Sequence, residues 1–402
     1  MENEKDLVRP ADKSKRWWIC LGIVLAVGLA IIALGKWSGE RRSEQSVKTA
    51  QIAGELVPQT SQTESSSDEA QSSDTEVVFS ARIFDPEKVS HITPLGELNG
   101  GYVETQPING LGINLKKDAN GNAEPMEVYA PIDMTLEDYS YAPDPQVPDR
   151  PVQWHLGFRI SKDMKLSFDH ISWVPDEIKA VTPPTPNSGY VPPIKKLSFK
   201  AGELIAKTSG TREAHNWNIY LRDNQKTNAF VNQARYEKLR NQYDYVNAVC
   251  PFDYYEDSQK AFYLALMGYS KAGQSKTCGT NSKDAKGSIS GLWHLDKEGM
   301  KDDYQGSYAT PFSVYKTSAN EIVLYETNRQ RYVLGVNNKS YQDPATVTDF
   351  HCYDLTIWSD DKKTQGYAYF KVVSDMEMKM NYSASGSCPA TFPEDGAIIY
   401  YR

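Results

Sequence analysis

Side chains that could do chemistry are sparse here, and they form no standard catalytic constellation. No G-x-S-x-G elbow occurs, so Ser209-Gly210 and Ser290-Gly291 read as turn residues. No Walker-type or dinucleotide-binding glycine motif occurs either. Asp253, Glu256 and Asp257 lie close in sequence but lack a second carboxylate site, so they read as turn and helix-capping residues. Cys20 falls within an apolar run, whereas Cys250, Cys278, Cys352 and Cys388 all fall in the C-terminal half. An even set without C-x-x-C or zinc-finger Cys/His spacing points to two disulfides in an oxidising compartment, not to thiol nucleophiles. Nearest-neighbour pairing gives Cys250–Cys278 and Cys352–Cys388, one of the three pairings that four cysteines allow.

Those residues must be positioned by a mainly β framework. The 25 tyrosines of this 402-residue chain fit half-buried strands. From Val77 onward, short alternating runs read as strands: VVFSARIF, EVYAPIDMTLEDYSY, VQWHLGFRIS, KLSFDHIS, KLSFKAGELIAKT and NWNIYLRD. Two proline-rich loops, Ala142–Pro151 and Thr182–Pro193, read as rigid insertions. Helical spacing is confined to the region from Thr227 to Ser270. NAFVNQARYEKLRNQ is one candidate. DSQKAFYLALMGY is another, with Asp257 or Ser258 as cap and Phe262, Leu266 and Tyr269 on one face. Eight further runs follow Ile289 (ISGLWHL, FSVYK, EIVLYE, RYVLGV, FHCYDLTIW, GYAYFKVV, MEMKMNY and AIIYY), predicting an antiparallel barrel or sandwich. Gly291-Leu292-Trp293 resembles the G-x-W start of lipocalin-like barrels. In those, a late-strand arginine stacks on that tryptophan, and Arg402 is the candidate here; the resemblance implies a small apolar ligand.

Ahead of this framework, Trp17–Leu34 is an uncharged apolar run. Its 18 residues, at about 1.5 Å each, span roughly 27 Å, close to the hydrocarbon thickness of a bilayer. Trp17, Trp18 and Trp37 flank it as an aromatic belt would. Lysines and arginines on the two sides nearly balance, and no small-residue cleavage site follows. Ser, Thr, Gln and Glu dominate the segment after it, which reads as a disordered tether. The expected organisation is a cytoplasmic tail (1–16), a transmembrane helix (17–35), a linker (36–76), a first β domain (77–226), a helical connector (227–288) and a C-terminal β domain (289–402). A net charge of −8 without a basic run past the N-terminal flank argues against nucleic acid.

Part of the first β domain, about residues 92–222, resembles lysostaphin-type zinc peptidases, which cut peptide bridges of peptidoglycan. VYAPIDMTL, at Val128–Leu136, is similar to the family's VYAPADGTV strand pair. FKAGELIAKTSGTREAHNWNIYLRD, at Phe199–Asp223, is similar to its closing turn and HLHFE strand. LSFDHIS resembles its Y-x-H-L strand and puts His170 at a family position. The resemblance implies an antiparallel β fold related to lipoyl-carrier-like barrels, with zinc held by His, Asp and His in active members. This chain departs from that pattern at the metal. The H-x-H pair falls on His215, Asn216 and Trp217, and an indole offers a metal no lone pair. The upstream ligands should fall in Ile92–Asn114, which has Glu104 and Asn109 but no His-x3-Asp, while His91 lies too early. No catalytic residue, metal or other cofactor is therefore assigned.

His170 and His215 remain as candidates to face one groove, with Trp154, His155 and Trp217 nearby; the alternative is that they are structural histidines on strands. The expected function is a membrane-anchored, extracytoplasmic binding or scaffolding module, with a cell-wall polymer or another envelope protein as partner. The alternatives are a peptidoglycan or protein hydrolase with a rearranged metal site, and an apolar-ligand carrier built on the C-terminal barrel.

Overall fold

The computed structural model describes residues 76–97, 108–141, 153–184, 189–211, 214–237, 245–295, 297, 311–326, 331–336, 341–359 and 362–402. The apolar run Trp17–Leu34, the linker up to residue 75 and the loop Ala142–Pro151 lie outside these residues. Among the described residues no helix is long and apolar enough to cross a membrane.

Alternation of apolar and polar residues builds the first β assembly. Its strands are β1 (Val89–Thr93), β2 (Leu111–Leu115), β3 (Met126–Tyr129), β4 (Met134–Tyr141), β5 (Trp154–Arg159), β6 (Met164–Ile171), β7 (Leu197–Phe199), β8 (Leu204–Thr208), β9 (Asn216–Asp223) and β10 (Ala248–Val249). The main antiparallel sheet runs β1-β2-β9-β6-β5-β4-β7, with β10 added to β9, while β3 and β8 pair separately. Met164, Leu166 and Phe168 of β6 and Trp217, Ile219 and Leu221 of β9 are buried on one face. Lys165, Ser167 and Asp169, with Asn218, Tyr220 and Arg222, alternate onto the other.

Several elements depart from the sequence-based expectation. VVFSARIF is not a strand. Ser80 and Ala81 both donate their N–H to the Pro131 carbonyl (2.9 and 3.0 Å), and the segment meets β3 through the isolated bridge Phe84–Val128 instead of forming a ladder. Phe79, Ile83 and Phe84 fill the core from there. KLSFKAGELIAKT divides into β7 and β8 at a turn where Gly202 has φ 85°. A short helix, α1 (Asp176–Val181), follows Pro175. Of NAFVNQARYEKLRNQ, only α2 (Gln233–Glu237) is helical among the described residues. The better candidate becomes α3 (Asp257–Leu264), capped at Glu256 with no side-chain bond, not at Asp257 or Ser258. Its buried residue is Tyr263, and Met267 follows in the next turn, whereas Phe262 is 44% exposed. The helix stops at Leu264, so its period does not extend to Leu266 or Tyr269.

The eight C-terminal runs form β11 (Gly291–His294), β12 (Pro311–Lys316), β13 (Ile322–Glu326), β14 (Arg331–Val336), β15 (Phe350–Ser359), β16 (Lys362–Ser374), β17 (Glu377–Ser383) and β18 (Ile398–Tyr401). Each pairs with the next, and His294 against Tyr401 closes the barrel. Trp293, Phe312, Tyr353, Phe370, Met380 and Tyr400 fill its interior. Outside it, Phe230, Tyr236, Tyr245 and Val246 pack on Leu292. The disulfides are Cys250–Cys278 and Cys352–Cys388, the nearest-neighbour pairing. Both β assemblies belong to one compact unit.

His294 alternates with Trp293 and faces outward from the barrel, yet it is buried. Burial, and then the charge of Arg235, push its imidazole down from 6.5 to about 3. The native state therefore resists a proton that the unfolded chain accepts. The resulting stability is complete above pH 6.5 and is lost as pH falls from 6.5 toward about 3. The slope reaches about 1.4 kcal/mol per pH unit. Denaturation midpoints measured across this range should fall with acid in the natural chain and fall less in His294→Phe.

Candidate functional site

The polar face of the sheet gathers its groups through strand register. Ser140 of β4 lies opposite His155 of β5, and Asp169 of β6 lies opposite Asn218 of β9. His155 Nδ1 stands 3.8 Å from Asp169 Oδ1, and His170 Nε2 stands 4.0 Å from Asp169 Oδ2. The His170 N–H also donates to Asp169 Oδ1 at 2.8 Å. Burial opposes the charge on Asp169. The positive fields of His170 and His155, together with the His170 N–H, overcome it and hold the carboxyl well below the usual carboxylate range. Tyr190 meets the His155 ring edge-on at 4.6 Å, and Tyr220 lies 6.4 Å from it on the sheet.

His170 and His215 adopt left-handed backbone, with φ of 62° and 55°. Such a conformation costs an L residue with a Cβ about 1–2 kcal/mol, so the surroundings must enforce it. They do so through a continuous chain of bonds. Thr208 Oγ1 donates to the His170 carbonyl at 2.5 Å, and the Gly210 N–H donates back to Thr208 Oγ1 at 2.9 Å. The His215 N–H donates to the Thr211 carbonyl at 2.9 Å. Gly210, at φ 72°, packs so closely that a Cβ there would stand 2.5 Å from the His215 carbonyl carbon.

The rings are fixed as firmly as the backbone. Gln153 Nε2 donates to the Gly210 carbonyl at 3.2 Å, so its Oε1 is the atom that meets His170 Nδ1 at 2.9 Å. That oxygen only accepts, which places a proton on His170 Nδ1. His215 Nδ1 meets the Ser209 carbonyl at 3.3 Å and carries a proton for the same reason. When neutral, both imidazoles therefore leave Nε2 as an acceptor.

The structure thus joins His170 and His215 through Gln153 and the Ser209-Gly210 turn, and it sets both tryptophans apart from them. Trp217 is fully buried, edge-on to Phe84 at 5.7 Å, and its Nε1 has no hydrogen-bond partner among the described residues. Trp154 is 8% exposed and stacked on Tyr141 at 4.0 Å. Neither ring offers an open face, because each alternates onto the apolar side of its strand. Gln153 and Asp169 were not singled out in the sequence. Asp169 adjoins His170 and was open to suspicion, whereas the role of Gln153 depends on a contact with a turn 57 residues away.

Among the described residues, no three His, Cys, Asp or Glu side chains cluster as a metal would need. Glu104 lies outside the described residues, and Asn109 is buried. Comparison with protein families, characterised proteins and solved structures gives no match for this chain.

Proposed function

We propose that this chain is a membrane-tethered, non-catalytic module that binds a cell-envelope polymer outside the cytoplasm, on the polar face around His170 and His215. The observation that carries this reading is the pair of left-handed histidines, each with Nδ1 committed to an internal acceptor. Backbone strain of this kind collects at ligand sites, and here it presents two imidazole edges of fixed polarity. The apolar run Trp17–Leu34 supports the tether. The two disulfides support an oxidising location for the rest. The hydrolytic alternative has less in its favour, because the position of the family's second H-x-H histidine belongs to Trp217, sealed under Phe84. The carrier alternative likewise has to contend with a barrel interior filled by aromatic and methionine side chains.

The test uses the full-length chain in detergent, sedimented with purified cell-wall sacculi. The natural chain is expected in the pellet. His170→Ala/His215→Ala should bind at least about tenfold more weakly, equivalent to about 1.4 kcal/mol. Chelator-sensitive release of wall peptides during the same incubation would reinstate the hydrolase.

A further inference from the structure

We propose that the Cys352–Cys388 disulfide is a thiol-exchange site, and that its reduction frees a strap covering an aromatic patch on the outer face of the C-terminal barrel. The site belongs to the barrel and does not depend on the polymer reading.

The two disulfides differ in what an incoming thiol can reach. Cys250 and Cys278 are both buried, 4% and 6% exposed, in the core of the first assembly. Cys352 of β15 is buried too, but Cys388 is exposed, on the segment that joins β17 to β18. Exchange requires a thiolate to approach a disulfide sulfur, so access at one end is enough. Exposed disulfides are accordingly the labile and regulatory ones.

Strand register shows what the bond holds down. Tyr353, Phe370 and Met380 fill the barrel interior, so their neighbours Cys352, Tyr369 and Asn381 point outward, in one row across β15, β16 and β17. Phe350, Lys371 and Lys379 form the next outward row. The segment 384–397 returns over these rows. Phe392 packs there on Cys352 and Tyr369, with the Phe350 ring edge-on to it at 6.1 Å. Past Phe392 the strap is held by polar groups. Glu394 pairs with Lys371 at 3.0 Å and Lys379 at 2.7 Å. Asn381 Nδ2 donates to the carbonyls of Pro393 (2.9 Å) and Asp395 (2.7 Å). Between 386 and 391 the tie is the Cys388 sulfur. Among the described residues, nothing else in that stretch has a hydrogen bond or ion pair to the barrel. Cutting the disulfide therefore leaves the strap hinged at Pro393–Asp395 and free ahead of it, with Phe392 at the boundary.

The chemistry balances with a dithiol reductant. Its thiolate attacks Cys388 Sγ, the S–S bond breaks, and Cys352 leaves as a thiolate that takes a proton. The reductant's second thiol then displaces Cys388 from the mixed disulfide. The protein gains two electrons and two protons, and the dithiol becomes a disulfide.

The experiment uses the full chain in detergent, with the Cys20 thiol first blocked by N-ethylmaleimide. Dithiothreitol is added without denaturant, samples are quenched over time with iodoacetamide, and mass spectrometry reads each cysteine. Cys352 and Cys388 are expected to be alkylated at least about tenfold sooner than Cys250 and Cys278. Hydroxyl-radical footprinting then compares the oxidised chain with the reduced, alkylated chain and with Cys352→Ser/Cys388→Ser. Labelling of Phe392 and Tyr369 should rise severalfold in both opened forms, while thermal unfolding shows that the barrel persists. Equal reduction of the two disulfides, or reduction of Cys352–Cys388 only in denaturant, would overturn the exchange site. Unchanged labelling of Phe392 and Tyr369 in both opened forms would overturn the strap, because the polar ties would then hold it without the bond. Loss of the barrel's cooperative unfolding in both forms would also overturn it, because the bond would then hold the barrel itself.

Discussion

Trp293→Ala is expected to destabilise the C-terminal barrel by about 4 kcal/mol or more, among the largest losses a single substitution causes. Trp293 is fully buried, and its Nε1 donates to the Ile289 carbonyl at 2.8 Å. The Arg402 guanidinium lies over its ring, with Cζ 4.0 Å from the centroid, and Arg402 is itself 1% exposed. A desolvated cation over an indole contributes about 2 kcal/mol. Arg402 also donates to the carbonyls of Ser290 (3.1 Å), Ala285 (3.3 Å) and Ser288, which closes the loop that leads into β11. Removing the indole leaves a large cavity and a buried cation without its ring. Arg402→Lys tests the fork separately: the charge stays, but an ammonium cannot serve three carbonyls in this arrangement, and about 2 kcal/mol should be lost. Urea unfolding of each variant measures both. A loss below about 1 kcal/mol for Trp293→Ala would mean that the stack carries no weight, since a domain's total stability is only about 5–15 kcal/mol.

The same corner shows what a short motif encodes. Gly291 sits at φ 142°, and a Cβ there would stand 2.2 Å from Asp284 Oδ1. Asp284 in turn accepts the Leu292 N–H at 3.3 Å and the Val231 N–H at 3.1 Å. Glycine is needed because a carboxylate occupies the space a side chain would take. Tryptophan is needed because Arg402 stacks on it. All of the barrel's strands were readable in advance, since period-two alternation and the intervening turns are local properties. The first assembly was less legible wherever local pattern and partner disagree. β1 and β2 carry His91, Thr93, Gly112 and Asn114 in their alternate positions, and those residues say little until β9 pairs alongside. VVFSARIF has strand composition, but it buries both Ile83 and Phe84, which a flat strand cannot place on one face. At the candidate site, His170 and His215 came from a resemblance to a family. Their left-handed backbone, and the Gln153 bridge that fixes one ring, depend on tertiary contacts that no spacing in the sequence announces.

Lys283→Met should destabilise the chain by about 3–5 kcal/mol, because it strands a carboxyl in the seam between the two β assemblies. Glu97 is fully buried; its Oε1 stands 3.3 Å from Lys283 Nζ and accepts the Ser318 N–H at 2.8 Å. Lys283 is also held 5.1 Å from the Tyr315 ring centroid. One carboxylate thus ties the end of the Pro94–Glu97 turn to the strand-entry segment before β11 and to the turn after β12. Burial pushes the Glu97 carboxyl above its ordinary 4.5, against the pull of Lys283, so the native state holds a proton that the unfolded chain has released. Stability from this group is complete below pH 4.5 and is lost as pH rises through the raised value. Without Lys283 the carboxyl rises further, so Lys283→Met should lose stability more steeply than the natural chain as the solution moves from acid to neutral. Glu97→Leu/Lys283→Met removes the charge altogether and should recover most of the loss, since an apolar pair of similar volume can match a buried ion pair. A double-mutant cycle at neutral pH separates the two causes. If the double variant is no more stable than Lys283→Met, the seam depends on the shape of these side chains and not on their charges.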